Sequence, residues 1–195
     1  MIDIDGNKYN TIEIGNQIWL AENLRVTHFK NGDPVPIIEE DKEWKEAGNE
    51  KSPASCVFQN KAANGKIYGT LYNYSAVIDS RGLAPEGWHI PTDQEWKELE
   101  LFLGKSDAGI KLKATDGWHR KQNGTNESGF NGLPGGDRSW NGYSDSDELK
   151  IFGKWYSADI NQIGGVQLTW DSNRLTYCST NTEGGGQYIR CIKNK

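Results

Sequence analysis

The chain has 195 residues, 22 of them basic and 27 acidic, for a formal net charge of −5. That length suits one domain better than two, and it can bury a core without covalent staples. A mean hydropathy of −0.77 with no long apolar run excludes a membrane-spanning helix, and eight Trp argue against a disordered chain. Nucleic-acid binding is disfavoured as well, because the densest basic stretch, Lys105 to Lys121, is broken by Asp107 and Asp116.

Ile2 and Ile4 alternate with Asp, and Asp5-Gly6-Asn7 supplies a turn, so the chain opens as a hairpin that continues from Tyr9 to Ile14. Asp3, Asp5 and Asn7 are spaced like the start of a calcium loop, but the distal ligands of an EF-hand are not in place. A second strand is expected at Gln17 to Leu20. The charged, Pro-bearing stretch from Asn31 to Ser55 reads as an irregular surface excursion. Leu71, Tyr74, Val77 and Ile78 fall at helical spacing, which predicts a short helix within Gly69 to Ile78. The strongest helix signal follows. Thr92 and Glu95 make a capping box, Trp96, Leu99, Phe102 and Leu103 form an apolar stripe, and Gly104 is the stop. From Gln122 to Gly142 the chain is dense in Gly and Asn and reads as a long loop zone. Strands are then expected at Ile151 to Ser157, Gly165 to Trp170, Leu175 to Ser179 and Gln187 to Ile192. No repeat of domain scale is visible. The class is α+β, with short helices packed on a C-terminal antiparallel sheet and long irregular loops. Of the three cysteines, Cys178 and Cys191 are the favoured pair, facing each other across a hairpin; the odd count leaves at least one thiol free.

Several strings then resemble one family in order. They are Asp3-Ile4-Asp5-Gly6-Asn7-Lys8-Tyr9, Ile14-Gly15-Asn16-Gln17-Ile18-Trp19-Leu20-Ala21-Glu22-Asn23-Leu24, Tyr68-Gly69-Thr70-Leu71-Tyr72-Asn73-Tyr74, and Pro85-Glu86-Gly87-Trp88-His89-Ile90-Pro91-Thr92-Asp93-Gln94-Glu95-Trp96. Leu112-Lys113-Ala114, Ser128-Gly129-Phe130-Asn131-Gly132-Leu133-Pro134-Gly135-Gly136 and Ile189-Arg190-Cys191-Ile192-Lys193 complete the series. Over residues 2 to 195 the chain resembles the Fibrobacter succinogenes major paralogous domain family. The resemblance implies a secreted or surface-anchored bacterial protein, often a lipoprotein, with no established activity. At the level of fold it implies similarity to C-type-lectin-like domains and to the formylglycine-generating enzyme group. The family commonly carries Cys just before Pro85, where this chain has Ala84, so the partner that the family implies for Cys191 is missing.

Chemical signals are sparse. His28, His89 and His119 sit in no metalloprotease or hydrolase motif, and His89 reads as a structural hydrogen-bonding residue. The widely spaced C-terminal cysteines do not suit the copper chemistry of the formylglycine group. Asp137, Asp145, Asp147, Glu148 and Asp171 are the acids that a carbohydrate-active enzyme would draw on. No cofactor is expected; calcium is the one ion that Asp137, Asn141, Asp145, Asp147 and Glu148 would suit as hard oxygen donors. Binding uses the unusual composition best. Trp140 and Tyr143 beside Asp137 and Asn141, with Trp170 and Asn173 downstream, combine aromatic faces with amides and carboxylates, a chemistry suited to a glycan or a protein ligand. Trp155 and Trp96 are expected in the core and Trp140 outside it. The expectation is therefore a non-catalytic, extracellular recognition or adhesion module, whose anchoring and oligomeric state the residues leave open.

Overall fold

The structure is a computed structural model and describes residues 1–159, 163–179 and 184–195. β1 (Thr11–Ile14) and β2 (Gln17–Leu20) form a hairpin in register from Thr11↔Leu20 to Ile14↔Gln17. Gly15 opens its two-residue turn at φ 60°, where an L side chain is strained. The short opening turn is also present: Asp3 Oδ1 accepts from the backbone N–H groups of Asp5 and Asn7 at 3.0 and 2.9 Å. The stretch expected as irregular contains helix α1 (Asp41–Asn49). Only Trp44 and Ala47, three residues apart on one face, are buried there, and seven mainly charged residues conceal that short apolar stripe.

β3 (Ser55–Cys56) and α2 (Ala62–Tyr68) follow. The helix expected over Gly69 to Ile78 is divided into β4 (Leu71–Asn73) and a single turn, α3 (Tyr74–Val77). Asn73 causes the switch. Its Oδ1 accepts from Ala76 N at 3.0 Å, capping α3, and from Ala54 N at 2.9 Å, tying the strand to its neighbour. After β5 (Trp88–His89) comes α4 (Asp93–Leu103), as the capping box predicts. Thr92 Oγ1 accepts from Glu95 N at 3.3 Å, and Glu95 Oε2 accepts from Thr92 N at 2.9 Å. Trp96, Leu99 and Leu103 are buried, but Phe102 is 65% exposed, a correction to the expected stripe; its ring lies against the bare Cα of Gly15.

α5 (Ala108–Leu112) leads into the loop zone. β6 (Phe152–Tyr156), β7 (Gly164–Thr169) and β8 (Thr176–Ser179) make an antiparallel sheet close to the expected bounds. The expected terminal strand is instead two, β9 (Gly186–Gln187) and β10 (Ile192–Lys193). β9 joins β3 and β4, whereas β10 inserts between β2 and β5, so both ends of the chain share one sheet. The fold is α+β, with three antiparallel sheets among the described residues.

The strands carry two clusters of buried side chains. Trp19, Leu71, Trp155 and Tyr188 enter one cluster; their successors Leu20, Tyr72, Tyr156 and Ile189 enter the other. This is the period of two of extended chain, and it places the clusters on opposite faces of shared segments. Trp19, Trp96, Phe130 and Trp155 form the centre of the first, with centroid distances of 4.7 Å for Trp19–Trp96 and 5.7 Å for Phe130–Trp155. The expected Cys178–Cys191 bridge is absent, and all three cysteines are free. Cys178 lies opposite Gly165 on β8, whereas Cys191 is buried in the second cluster beside the terminal sheet, so the hairpin that would pair them does not form.

Candidate functional site

The feature that sets the loop zone apart is a tight turn held from beneath by a buried cation. Arg138 Nε donates to Gly142 O at 2.7 Å, and its Nη atoms reach Ile38 O at 2.6 Å, Glu39 O at 2.8 Å and Asp41 Oδ1 at 3.1 Å. Its guanidinium also lies over the Trp44 ring, 4.5 Å from the centroid. Backbone bonds between Arg138 and Gly186 run in both directions, at 2.9 and 2.7 Å. Above this anchor Ser139 N donates to Tyr143 O, Gly142 N to Ser139 O, and Tyr143 N to Asn141 Oδ1. Gly142, at φ 91°, closes the turn with its Cα against Asp41, where a Cβ would collide with backbone. The side chains this turn presents are Trp140, 49% exposed, and Tyr143, 57% exposed. Lys45 of α1 places its ammonium 5.2 Å from the Trp140 ring centroid.

Asp137, next to this turn, is engaged by a neighbour. Lys154 Nζ donates to its Oδ2 at 2.6 Å, and both groups are largely buried. Glu148 also hydrogen-bonds Asp137. Burial, followed by the charge and hydrogen bond of Asp137, pushes the Glu148 carboxyl up to about 7. Asp137 and Glu148 are thus a carboxyl–carboxylate pair beside one ammonium. Glycosidase carboxyls stand about 5 to 9.5 Å apart to admit a sugar carbon or a water, and a directly bonded pair leaves no such gap. Asp145 accepts from Asp147 N at 2.9 Å within its own turn. Among the described residues, no group of three or more His, Cys, Asp or Glu is arranged to hold a metal ion.

Trp170 and Asn173 have other neighbours. Trp170 is half-buried, with the His119 ring edge-on at 5.0 Å and the Arg120 guanidinium 5.6 Å from its centroid. Asn173 has an exposed side chain, and its carbonyl accepts from Ile110 N of α5 at 3.1 Å. The structure therefore brings Trp140, Asn141 and Tyr143 together on one turn with Asp137 at its base. Trp170 and Asn173 sit at the β7–β8 connection beside α5. Lys113 organises that connection from within, donating to the carbonyls of Thr169, Trp170 and Ser172 at 3.3, 3.3 and 2.9 Å.

Arg138, Lys113 and Arg190 escape a reading by sequence. Each is a buried cation held mainly by oxygens of residues far away in the chain, and no local pattern encodes such partners. His89 has the structural role expected of it, joining Glu95 Oε1 at 2.8 Å to Asn194 Oδ1 at 2.7 Å. Trp155 is buried in the core as expected, and its Nε1 donates to Asn23 Oδ1 at 2.8 Å.

Comparison with known proteins adds one finding. The model of the Fibrobacter succinogenes major domain family matches residues 12–193, and the chain belongs to that family. Searches of the curated proteins and of the solved structures found no match. No helix among the described residues is long and apolar enough to cross a membrane.

Proposed function

We propose that this member of the Fibrobacter succinogenes major domain family is a non-catalytic recognition module of the bacterial exterior, and that it binds a glycan through the turn carrying Trp140 and Tyr143. The observation that carries the reading is the exposure of two aromatic rings on a turn whose backbone is fixed by the buried Arg138. An indole exposed at this level gives little to the core. A rigid turn, however, presents it at low entropic cost, which is what preorganised recognition requires. Sugar CH faces stack on such rings while Asn141 and neighbouring polar groups meet the hydroxyls. Trp170 and Asn173 form a second part of the recognition face in this reading. A C-type-lectin-like class belongs to the same proposal; in its favour, the C-terminal strand β10 lies between the N-terminal hairpin and β5.

A glycan array probed with the wild-type chain and with Trp140→Ala, each with and without calcium, tests the reading. The wild type should mark a restricted set of glycans, and Trp140→Ala should lose about 1–3 kcal/mol of binding, the scale of one aromatic contact. Stability should fall by only about 1 kcal/mol, the scale of the Lys45 contact with a half-exposed ring. A calcium-dependent signal would add the ion to the site. Wild-type and variant signals of equal strength would remove Trp140 from it.

A further inference from the structure

Two adjoining depressions lie on a part of the surface that includes none of the residues of the Trp140 turn. The smaller, about 90 Å³, is lined by Glu22, Arg25, Lys66, Asn131 and Arg190 among others. The wider, about 540 Å³, is lined by Lys8, Arg25, Lys66 and Thr70 among others. Arg25 and Lys66 line both, so the two share a wall. Four cations thus line these neighbouring depressions in a chain of net charge −5.

Two of them, Arg190 and Arg25, are only partly compensated. Arg190 is buried, and its hydrogen bonds go to neutral oxygens: Asn23 Oδ1 at 2.8 and 3.1 Å, Leu20 O at 3.1 Å and Phe130 O at 2.5 Å. A guanidinium has five N–H groups, and these bonds occupy four. Burial lowers its pKa to about 9, a shift that the Glu22 carboxylate lining the same pocket only partly offsets. Arg25 donates from Nη2 to Lys8 O at 3.0 Å, yet its buried Nε has no partner among the described residues. Of the acids nearby, Glu22 accepts from Asn10 N and Nδ2 at 2.9 and 2.8 Å, and Asp116 lies toward Tyr68. A buried polar nitrogen without a partner costs free energy unless a ligand or water completes it.

The geometry points to a binding site for a sugar acid, its carboxylate in the smaller pocket against Arg190, Arg25 and Lys66 and its ring in the wider groove. The smaller volume accommodates a carboxylate, and guanidinium forks match planar carboxylates in shape and charge. The wider groove, about 540 Å³, leaves ample room for a pyranose ring, and Thr70 with the Lys8 ammonium can meet its hydroxyls.

Calorimetric titration of the full chain at fixed ionic strength with sodium glucuronate, glucose and sodium acetate separates the contributions. Glucuronate should bind saturably, with glucose and acetate each weaker by about tenfold or more, the scale of one charge-assisted hydrogen bond. Lys66 is exposed, so Lys66→Glu should fold normally and weaken glucuronate by about tenfold or more. Lys97→Glu on the surface of α4 and Trp140→Ala should leave glucuronate binding unchanged. Glucose or acetate binding as tightly as glucuronate, no glucuronate binding at all, or equal losses in the Lys66 and Lys97 variants would overturn the assignment.

Discussion

Replacing Glu148 by Gln should stabilise the protein in mild alkali and not in acid. The Glu148 carboxyl, ordinarily near 4.5, is pushed up to about 7 by burial and by Asp137, which it hydrogen-bonds. Lys154 and Asp145 face the same group: the first eases the shift and the second adds to it. A carboxyl whose folded pKa is raised contributes most below its ordinary value, and that contribution is lost as pH climbs through the folded pKa. At 1.36 kcal/mol per unit, the interval from 4.5 to about 7 corresponds to roughly 3 kcal/mol. Solvent screens this partly exposed site, which reduces the figure to about 1–2 kcal/mol. A Gln amide can donate to the Asp137 carboxylate at every pH without charge. Thermal unfolding at about pH 5 and about pH 8.5 is the assay. With about 2–4 °C per kcal/mol for a chain of this size, Glu148→Gln should melt several degrees above wild type at the higher pH and show no gain at the lower. A Tm difference that does not change with pH would refute the shared-proton pair.

Other outcomes follow from the same contacts. Thr92→Ala removes the acceptor for Glu95 N and half of the capping box, and should cost about 1 kcal/mol in denaturant unfolding. Ala84→Cys restores the cysteine that the family resemblance implies as the partner of Cys191, and both positions are buried in the second cluster; the variant should form that disulfide on oxidation, read as loss of two thiols in mass spectrometry. Closing a loop of this length is worth up to about 4.7 kcal/mol, so the oxidised variant should also melt higher. Arg138→Met should release the aromatic turn, quenching any glycan signal and costing about 3 kcal/mol or more of stability, because the carbonyls of Ile38, Glu39 and Gly142 lose their buried donor at about 1–3 kcal/mol each.

Elements defined by local chemistry were legible in the sequence. Helix α4 lies between Thr92 and Gly104 because its cap, stripe and stop are contiguous, and β6 to β8 follow from alternation and turn residues. Elements defined by distant partners were not. α1 is hidden because only Trp44 and Ala47 face inward, and what buries them is remote, as in the bond from Trp44 Nε1 to Gly184 O at 2.7 Å. The helical spacing of Leu71 and Tyr74 misled because Asn73 bonds both across to Ala54 and forward to Ala76. At the candidate site, exposure of Trp140 could be read from the missing apolar periodicity around it. The support from Arg138, and the pairing of Asp137 with Lys154, depend on contacts that no spacing rule supplies.

The central claim concerns where a ligand meets the surface, and an NMR titration of the isotope-labelled chain with an uncharged glycan selected on the array tests it most directly. The account predicts that the Trp140 indole N–H and the backbone amides of Asn141 and Tyr143 shift saturably with one common Kd, while the buried indoles of Trp19, Trp96 and Trp155 stay in place. Saturable shifts elsewhere, with the Trp140 and Tyr143 signals unmoved, would contradict it.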